Sequence, residues 1–133
     1  MSKQELIAFA EQYTAAWCSQ NAASVAAFYT EDGALKINDA SPAVGRTAIR
    51  AAAQSFMTAF PDLVVKMDSV NFKDQQAIYH WTLTGNHTDG PFVQISGYEE
   101  WRFSGDGLIA ASQGHFDEVD YQHQLNNGGE DQA

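Results

Sequence analysis

Hydrophobic positions in the first half of the chain recur with the period of an α-helix. Ser2 and Glu5 have the spacing of a capping box, which predicts that a helix begins there. The apolar positions that follow repeat every three or four residues, at Leu6, Ala10, Tyr13 and Trp17. A short second helix is predicted from about Ala22, and a third over residues 47–60, where Pro61 ends it. The chain therefore opens with three predicted helices.

Beyond Pro61 the period changes to two, which is typical of β-strands. A short strand over residues 34–37 and a loop over residues 38–45 come before the third helix. Four longer strands follow it, and in one of them apolar side chains alternate at Ala77, Tyr79, Trp81 and Leu83. Turn-like connections such as residues 104–107 join antiparallel neighbours. The predicted fold class is α+β, with three N-terminal helices packed in the concavity of a strongly curved, mainly antiparallel sheet around a cone-shaped pocket.

Composition and charge narrow the possible functions. The chain has 133 residues, of which 44% are apolar and 12% aromatic, so a globular core is expected. Its net charge of −10, with only seven Lys and Arg, argues against nucleic-acid and anionic-membrane partners. One cysteine and the lack of a long apolar run favour a cytoplasmic protein without a membrane span. We expect one domain over residues 1–125 and a disordered polar tail over residues 126–133.

Several short strings occur in an order and spacing that match a known family. They are Phe28–Gly33, Gly45–Ile49, Phe60–Leu63, Trp81 with Gly85–His87, Trp101–Phe103, Asp106–Ile109 and Gln124–Leu125. Over about residues 3–125 the chain resembles the nuclear transport factor 2-like superfamily, and within it the SnoaL-like group that includes polyketide cyclases. The resemblance implies a reusable small-molecule pocket. It does not fix the activity, because the superfamily includes cyclases, isomerases, epoxide hydrolases, binding proteins and assembly domains.

The resemblance also suggests candidate catalytic positions. The catalytic Asp of SnoaL-like cyclases and related epoxide hydrolases corresponds to Gly114, and the cyclases' His corresponds to Glu99. Ketosteroid isomerase-like members place a carboxyl donor at the position of Glu99 and a tyrosine at that of Tyr13. Their base corresponds to Ile37, and Asp39 lies two residues further on. The resemblance therefore implies Tyr13 and Glu99 as candidate catalytic residues, and strand parity with Ile37 adds Asp39, which lies in the predicted loop.

A tyrosine hydroxyl and a neutral carboxylic acid can together form an oxyanion hole. Glu99 shares a strand face with Gly97 and Trp101, so we expect it to lie inside the pocket. We also expect it to be partly protonated, because apolar surroundings raise the pKa of a carboxyl group. In the alternative interpretation Tyr13 is a hydrogen-bonded core residue, and Glu99 reaches solvent or pairs with an arginine. The residues expected to line the pocket are Trp17, Tyr29, Ile37, Met57, Phe60, Trp81, His87, Trp101, Ser112, Gly114 and Phe116.

The remaining expectations concern cofactors, partners and reaction class. The four histidines have no metal-site spacing, and the sequence has no phosphate loop or dinucleotide fingerprint, so no metal or cofactor is predicted. Apolar side chains such as Ile78 on the second face of a strand predict a homodimer through the outer sheet face. The functional hypothesis is a SnoaL-like pocket for a hydrophobic small molecule, with isomerase- or cyclase-like (lyase-type) acid–base chemistry on a carbonyl compound. The alternative is a non-catalytic ligand-binding or assembly domain.

Overall fold

The computed structural model describes residues 1–127, and its helices agree with the predicted ones. The first helix, α1, spans Lys3–Cys18, followed by α2 at Ala22–Ala26 and α3 at Arg46–Ala59. The predicted capping box is confirmed, because the Glu5 N–H donates to Ser2 Oγ at 3.1 Å and the Ser2 N–H donates to Glu5 Oε1 at 2.9 Å. A final helix, α4, covers Glu118–Asn127 and so extends two residues into the predicted tail. The rest of that tail, residues 128–133, lies outside the described residues.

Six strands form one sheet against which the helices pack. The strands are β1 at Tyr29–Ile37, β2 at Ala43–Val44, β3 at Val64–Lys73, β4 at Gln76–Asn86, β5 at Phe92–Phe103 and β6 at Ile109–Phe116. Their order across the sheet is β2-β1-β6-β5-β4-β3. Only β1 and β6 pair in parallel, and the other described pairs are antiparallel. The predicted α+β fold with a mainly antiparallel sheet is confirmed.

The largest difference from the sequence prediction lies in β1. This strand begins at Tyr29, five residues before the predicted strand over residues 34–37, and so runs through residues 31–33, which have the composition of a turn. Pairing with β6 explains the difference, because Tyr29 already lies opposite Ile109 and the register then shifts before Ala34. The edge strand β2 falls within the predicted loop and pairs with β1. Tertiary pairing thus overrides the local turn signal.

The order of the strands places Glu99 in the middle of the sheet. On β5, Glu99 lies opposite Tyr79 of β4 and Gly114 of β6. The concave face around it is closed by buried side chains from α1, α3 and the strands, among them Leu6, Tyr13, Ile49, Met57, Phe60 and Trp101. The Glu99 side chain is therefore surrounded by protein, except where it faces an interior cavity.

Candidate functional site

The interior contains a cavity of about 60 Å³. It is lined by Trp17, Leu35, Ile37, Phe56, Val65, Tyr79, Trp81, Leu83, Ile95, Glu99, Gly114 and Phe116. Glu99 supplies the one carboxyl group among these described lining residues, and nearly all the others are apolar or aromatic. The volume is enough for several water-sized groups. A bound molecule would therefore be small and would meet one strongly polar side chain.

Three neutral donors hold the Glu99 carboxyl in place. The Tyr13 hydroxyl on α1 donates to Glu99 Oε1 at 3.0 Å. The Trp101 indole Nε1–H donates to the same oxygen at 2.9 Å, and the Ser112 hydroxyl on β6 donates to it at 2.8 Å. Glu99 is only 8% exposed, so these bonds replace the water that an exposed carboxyl would bind. Residues from α1, β5 and β6 thus meet at one oxygen atom.

Burial controls the ionisation of this cluster. Removal from water raises the pKa of Glu99 above its ordinary value, because it disfavours the charged form. Hydrogen bonds from Trp101, Ser112, Tyr13 and Tyr29 lower that pKa and only partly oppose the effect of burial. Burial also raises the pKa of the Tyr13 and Tyr29 hydroxyls, which lie 2.9 Å apart, well above the usual value. Both tyrosines therefore stay protonated, while Glu99 titrates closer to neutral pH than an exposed glutamate.

Most of the predicted site residues fall into two groups. Those that line the cavity are Trp17, Ile37, Trp81, Glu99, Gly114 and Phe116. A second group, Tyr13, Tyr29, Trp101 and Ser112, lies behind Glu99 in the buried hydrogen-bonded cluster. In this structure the Tyr13 hydroxyl points to Glu99 and its neighbour Tyr29. The Tyr13 hydroxyl therefore donates its hydrogen bond to the Glu99 carboxyl. The oxyanion-hole hypothesis requires it to donate directly to a ligand oxygen.

Four predicted site residues lie elsewhere. Met57 and Phe60 are buried in the hydrophobic core. The His87 ring packs edge-on against Phe60 at 5.3 Å, and its Nδ1 accepts a hydrogen bond from the Asp89 N–H at 3.1 Å. Asp39 is exposed and lines a surface depression. Its strand parity with Ile37 is lost because β1 ends at Ile37 and Asn38 turns the chain with φ 51°.

Several lining residues were not predicted, although the sequence contained a signal for most of them. They are Leu35, Phe56, Val65, Tyr79, Leu83 and Ile95. Tyr79 and Leu83 each lie two residues from Trp81, and Leu35 lies two residues before Ile37. Residues two apart on a strand share a face, so strand parity could have identified these three. Phe56 belongs to the apolar period of α3. Periodicity predicts the inward face, but the position of a cavity along that face depends on how the helices pack.

Trp81 is a second polar feature of the cavity wall. Its ring lies over Gly97, where an added Cβ would come within 2.7 Å of Trp81 Cζ2. Trp81 Nε1 is buried and, among the described residues, has no hydrogen-bond partner. A buried donor without an acceptor is unusual in a folded protein. The Trp101 indole, by comparison, donates to Glu99.

The described residues give no indication of a metal centre. Within residues 1–127, no three His, Cys, Asp or Glu side chains are close enough together to hold an ion. In the same part of the chain no helix is long and apolar enough to cross a membrane.

Comparison with known proteins identifies the family. The SnoaL-like domain family matches residues 10–112. The chain belongs to the SnoaL-like domain family. No curated protein matches its sequence.

Solved structures with the SnoaL-like fold resemble the chain closely in shape but weakly in sequence. A hypothetical protein with a ketosteroid isomerase-like fold from Catenulispora acidiphila, in complex with trimethylamine, has a TM-score of 0.80 and 14% identity, covering 89% of this chain and 92% of that one. A Jannaschia sp. CCS1 protein, provisionally described as a SnoaL-like polyketide cyclase, has a TM-score of 0.81 and 14% identity, with 94% and 95% covered. The epoxide hydrolase/cyclase-like enzyme SalBIII of salinomycin pyran ring formation has a TM-score of 0.78 and 13% identity, with 90% and 95% covered. Identities this low indicate a shared fold only.

Proposed function

We propose that this SnoaL-like protein binds a small, mainly apolar organic molecule in its interior cavity, and that Glu99 exchanges a proton with it. The observation that carries the proposal is a single buried carboxyl facing an otherwise apolar cavity. A carboxyl whose pKa is raised by burial is suited to general acid–base catalysis, because it keeps its proton to a higher pH than an exposed glutamate and is a stronger base once ionised.

The reaction class we propose is isomerase- or cyclase-like chemistry on a hydrophobic carbonyl compound. In the isomerase form the Glu99 carboxylate removes a proton from the carbon next to the carbonyl and returns it to a second carbon. One carboxyl is enough for this transfer. Tyr13 is a positioning residue in this scheme, since its hydroxyl is hydrogen-bonded to Glu99 Oε1. SalBIII, described as epoxide hydrolase/cyclase-like, shares the fold and supports the reaction class by analogy.

The test follows the isomerisation of a small β,γ-unsaturated ketone to its conjugated isomer by ultraviolet absorbance. We expect the wild-type protein to accelerate this reaction, and the Glu99→Gln variant to lose about a hundredfold or more of the rate, because the amide cannot transfer the proton. Glu100→Gln is the matched control, since Glu100 lies one residue along the strand and contacts His115 at 2.7 Å. Equal rates for wild type and Glu99→Gln across a panel of such ketones would refute the catalytic part of the proposal.

A second candidate function is ligand binding without catalysis. The observation that favours it is that the described lining contains no histidine, lysine, arginine or second carboxyl to assist Glu99. The Catenulispora protein of the same fold was solved in complex with trimethylamine, a very small molecule. In the binding role, Glu99 would recognise the polar group of the ligand and no bond would change.

We also propose a homodimer formed through the outer face of the sheet. His80, Tyr98 and His115 form an aromatic row across three strands, with ring centroids 5.5 Å and 4.6 Å apart, beside the half-buried Ile78. A partner copy would cover this row. We expect sedimentation equilibrium at tens of micromolar to give a dimer, and the Tyr98→Arg variant to shift towards monomer because it places unpaired charge at the contact. A monomeric wild type would contradict the proposal.

A further inference from the structure

The donors around Glu99 favour a charged carboxylate. Tyr13, Trp101 and Ser112 all donate to the same atom, Oε1, at 2.8–3.0 Å. Hydrogen bonds to an ionised acceptor are roughly twice as strong as those between neutral groups, so three donors on one oxygen stabilise the anion most. These three donors therefore stabilise a negative charge on Glu99 at the wall of the cavity.

The chain does not provide a positive charge to balance that anion. All seven basic side chains lie within the described residues, and none of them lines the cavity. The Lys3 Nζ donates to the Val70 carbonyl, and the Arg46 Nε donates to the Tyr29 carbonyl. The others are exposed or half-buried at Lys36, Arg50, Lys66, Lys73 and Arg102. A buried carboxylate without a cation is unfavourable, so Glu99 either keeps its proton or gains its counter-charge from a molecule that enters the cavity.

The walls of the cavity suit an organic cation. Five lining residues are aromatic, namely Trp17, Phe56, Tyr79, Trp81 and Phe116. Two edge-to-face ring pairs lie within this wall, Trp17 with Phe56 at 6.2 Å and Trp81 with Phe116 at 6.1 Å. The negative faces of aromatic rings attract alkylammonium groups, and sites for methylated ammonium ligands are commonly aromatic cages. A strongly hydrated metal ion would lack the oxygen ligands that it requires.

We propose that the cavity is a cage for a small alkylammonium group, with the Glu99 carboxylate as its counter-charge. This inference rests on the proposed function only in requiring that a small molecule occupies the cavity. A permanently charged ammonium ion enters beside ionised Glu99 without any transfer. A neutral amine that meets protonated Glu99 takes the carboxyl proton on its nitrogen lone pair, which leaves the same ammonium–carboxylate pair.

The volume limits the size of the ligand. A cavity of about 60 Å³ has room for a few methyl-sized groups around one nitrogen atom and is too small for a steroid or polyketide skeleton. Tetramethylammonium is therefore the probe of choice. Tert-butanol is its neutral counterpart, since it has a similar compact shape and no charge.

The experiment compares the binding of these two probes by isothermal titration calorimetry at constant ionic strength. We expect the wild type to bind tetramethylammonium more tightly than tert-butanol. Glu99→Gln keeps an acceptor oxygen for the three donors and removes the charge, so it should weaken tetramethylammonium binding at least tenfold and leave tert-butanol nearly unchanged. Glu100→Gln, with its carboxyl beside His115, should alter neither affinity.

A second variant tests the aromatic wall separately from the carboxylate. Phe116→Leu keeps an apolar side chain and removes the ring, so it should weaken tetramethylammonium binding about threefold or more while tert-butanol binding changes less. A third readout is the Glu99 carboxyl signal in carbon-detected NMR. Saturation with tetramethylammonium should lower the Glu99 pKa, because the cation stabilises the carboxylate.

The inference is overturned if the wild type binds tert-butanol as tightly as tetramethylammonium, if neither probe binds, or if Glu99→Gln leaves tetramethylammonium affinity unchanged. These outcomes can be distinguished from failure of the proposed catalysis. Glu99-dependent isomerisation of ketones without cation binding would refute the ammonium cage and leave the proposed catalytic function standing. Glu99-dependent cation binding without any isomerisation would support the cage and refute the catalytic role.

Discussion

Replacing Gly97 by alanine is expected to lower the free energy of unfolding by about 3 kcal/mol or more. A Cβ at Gly97 would lie 2.2 Å from the His115 carbonyl oxygen, 2.7 Å from Trp81 Cζ2 and 3.0 Å from Phe116 Cβ. The carbonyl belongs to the paired strand β6 and cannot move without breaking the ladder. Urea unfolding of the variant is the measurement, and the Trp81 contribution to near-ultraviolet circular dichroism should change as well.

Gly114 provides the matched control for Gly97. It lies on the neighbouring strand β6, directly opposite Glu99, and an added Cβ would have its nearest contacts at 3.5 Å or more. Gly114→Ala should therefore be tolerated, or stabilise by about 0.5–1 kcal/mol because alanine restricts the unfolded chain. Similar losses of stability in the two variants would show that the close approach at Gly97 is not what limits substitution.

Replacing Glu99 by leucine is expected to destabilise the protein by about 2–4 kcal/mol. The change removes the acceptor shared by Trp101 Nε1 and Ser112 Oγ, and each buried donor left without a partner costs about 1–3 kcal/mol. Tyr13 is affected less, because its hydroxyl keeps the Tyr29 hydroxyl at 2.9 Å. Release from burying the carboxyl offsets part of the loss. Urea unfolding measures the difference, and Glu100→Leu, which breaks a half-exposed contact with His115, should cost about 1 kcal/mol or less.

The pH dependence of the Glu99→Gln variant separates the effect of charge from that of packing. The folded protein holds the Glu99 proton more tightly than the unfolded chain does, because burial raises the pKa. The wild type is therefore most stable relative to Glu99→Gln below pH 4.5, the ordinary value, and loses stability relative to it as the pH rises through the folded pKa. Stability curves that stay parallel between pH 4 and 8 would contradict a raised pKa for Glu99.

Much of the fold could be predicted because local signals and tertiary structure agree. The capping residues Ser2 and Glu5 and the apolar period through Trp17 fix α1, and alternation through Tyr79 and Trp81 fixes β4. The start of β1 could not be predicted from such local sequence signals. Residues 31–33 have the composition of a turn, and only the partner strand β6, far away in sequence, keeps them extended.

The sequence predicted the inward position of Glu99, the central residue of the candidate site, but it did not predict how the other site residues are arranged around it. Strand parity with Gly97 and Trp101 placed Glu99 on the inward face, where the structure has it. The direction of the Tyr13 hydroxyl could not be predicted, because it depends on the distance between α1 and β5. Asp39 illustrates a second limit, since parity along a strand has no meaning once Asn38 turns the backbone.

The parallel pairing of β1 with β6 has a consequence for how the chain folds during synthesis. Strands β3 to β6 can pair with their sequence neighbours as each emerges, but β1 must wait for β6, whose residues 109–116 come near the end of the described chain. Such a long-range contact is slow to form because a large loop has to close. Until it does, Leu35 and Ile37 of β1 are missing from the cavity lining, and the apolar walls of the unfinished cavity face water. In the ribosome-bound chain these walls are the surface that a chaperone would recognise.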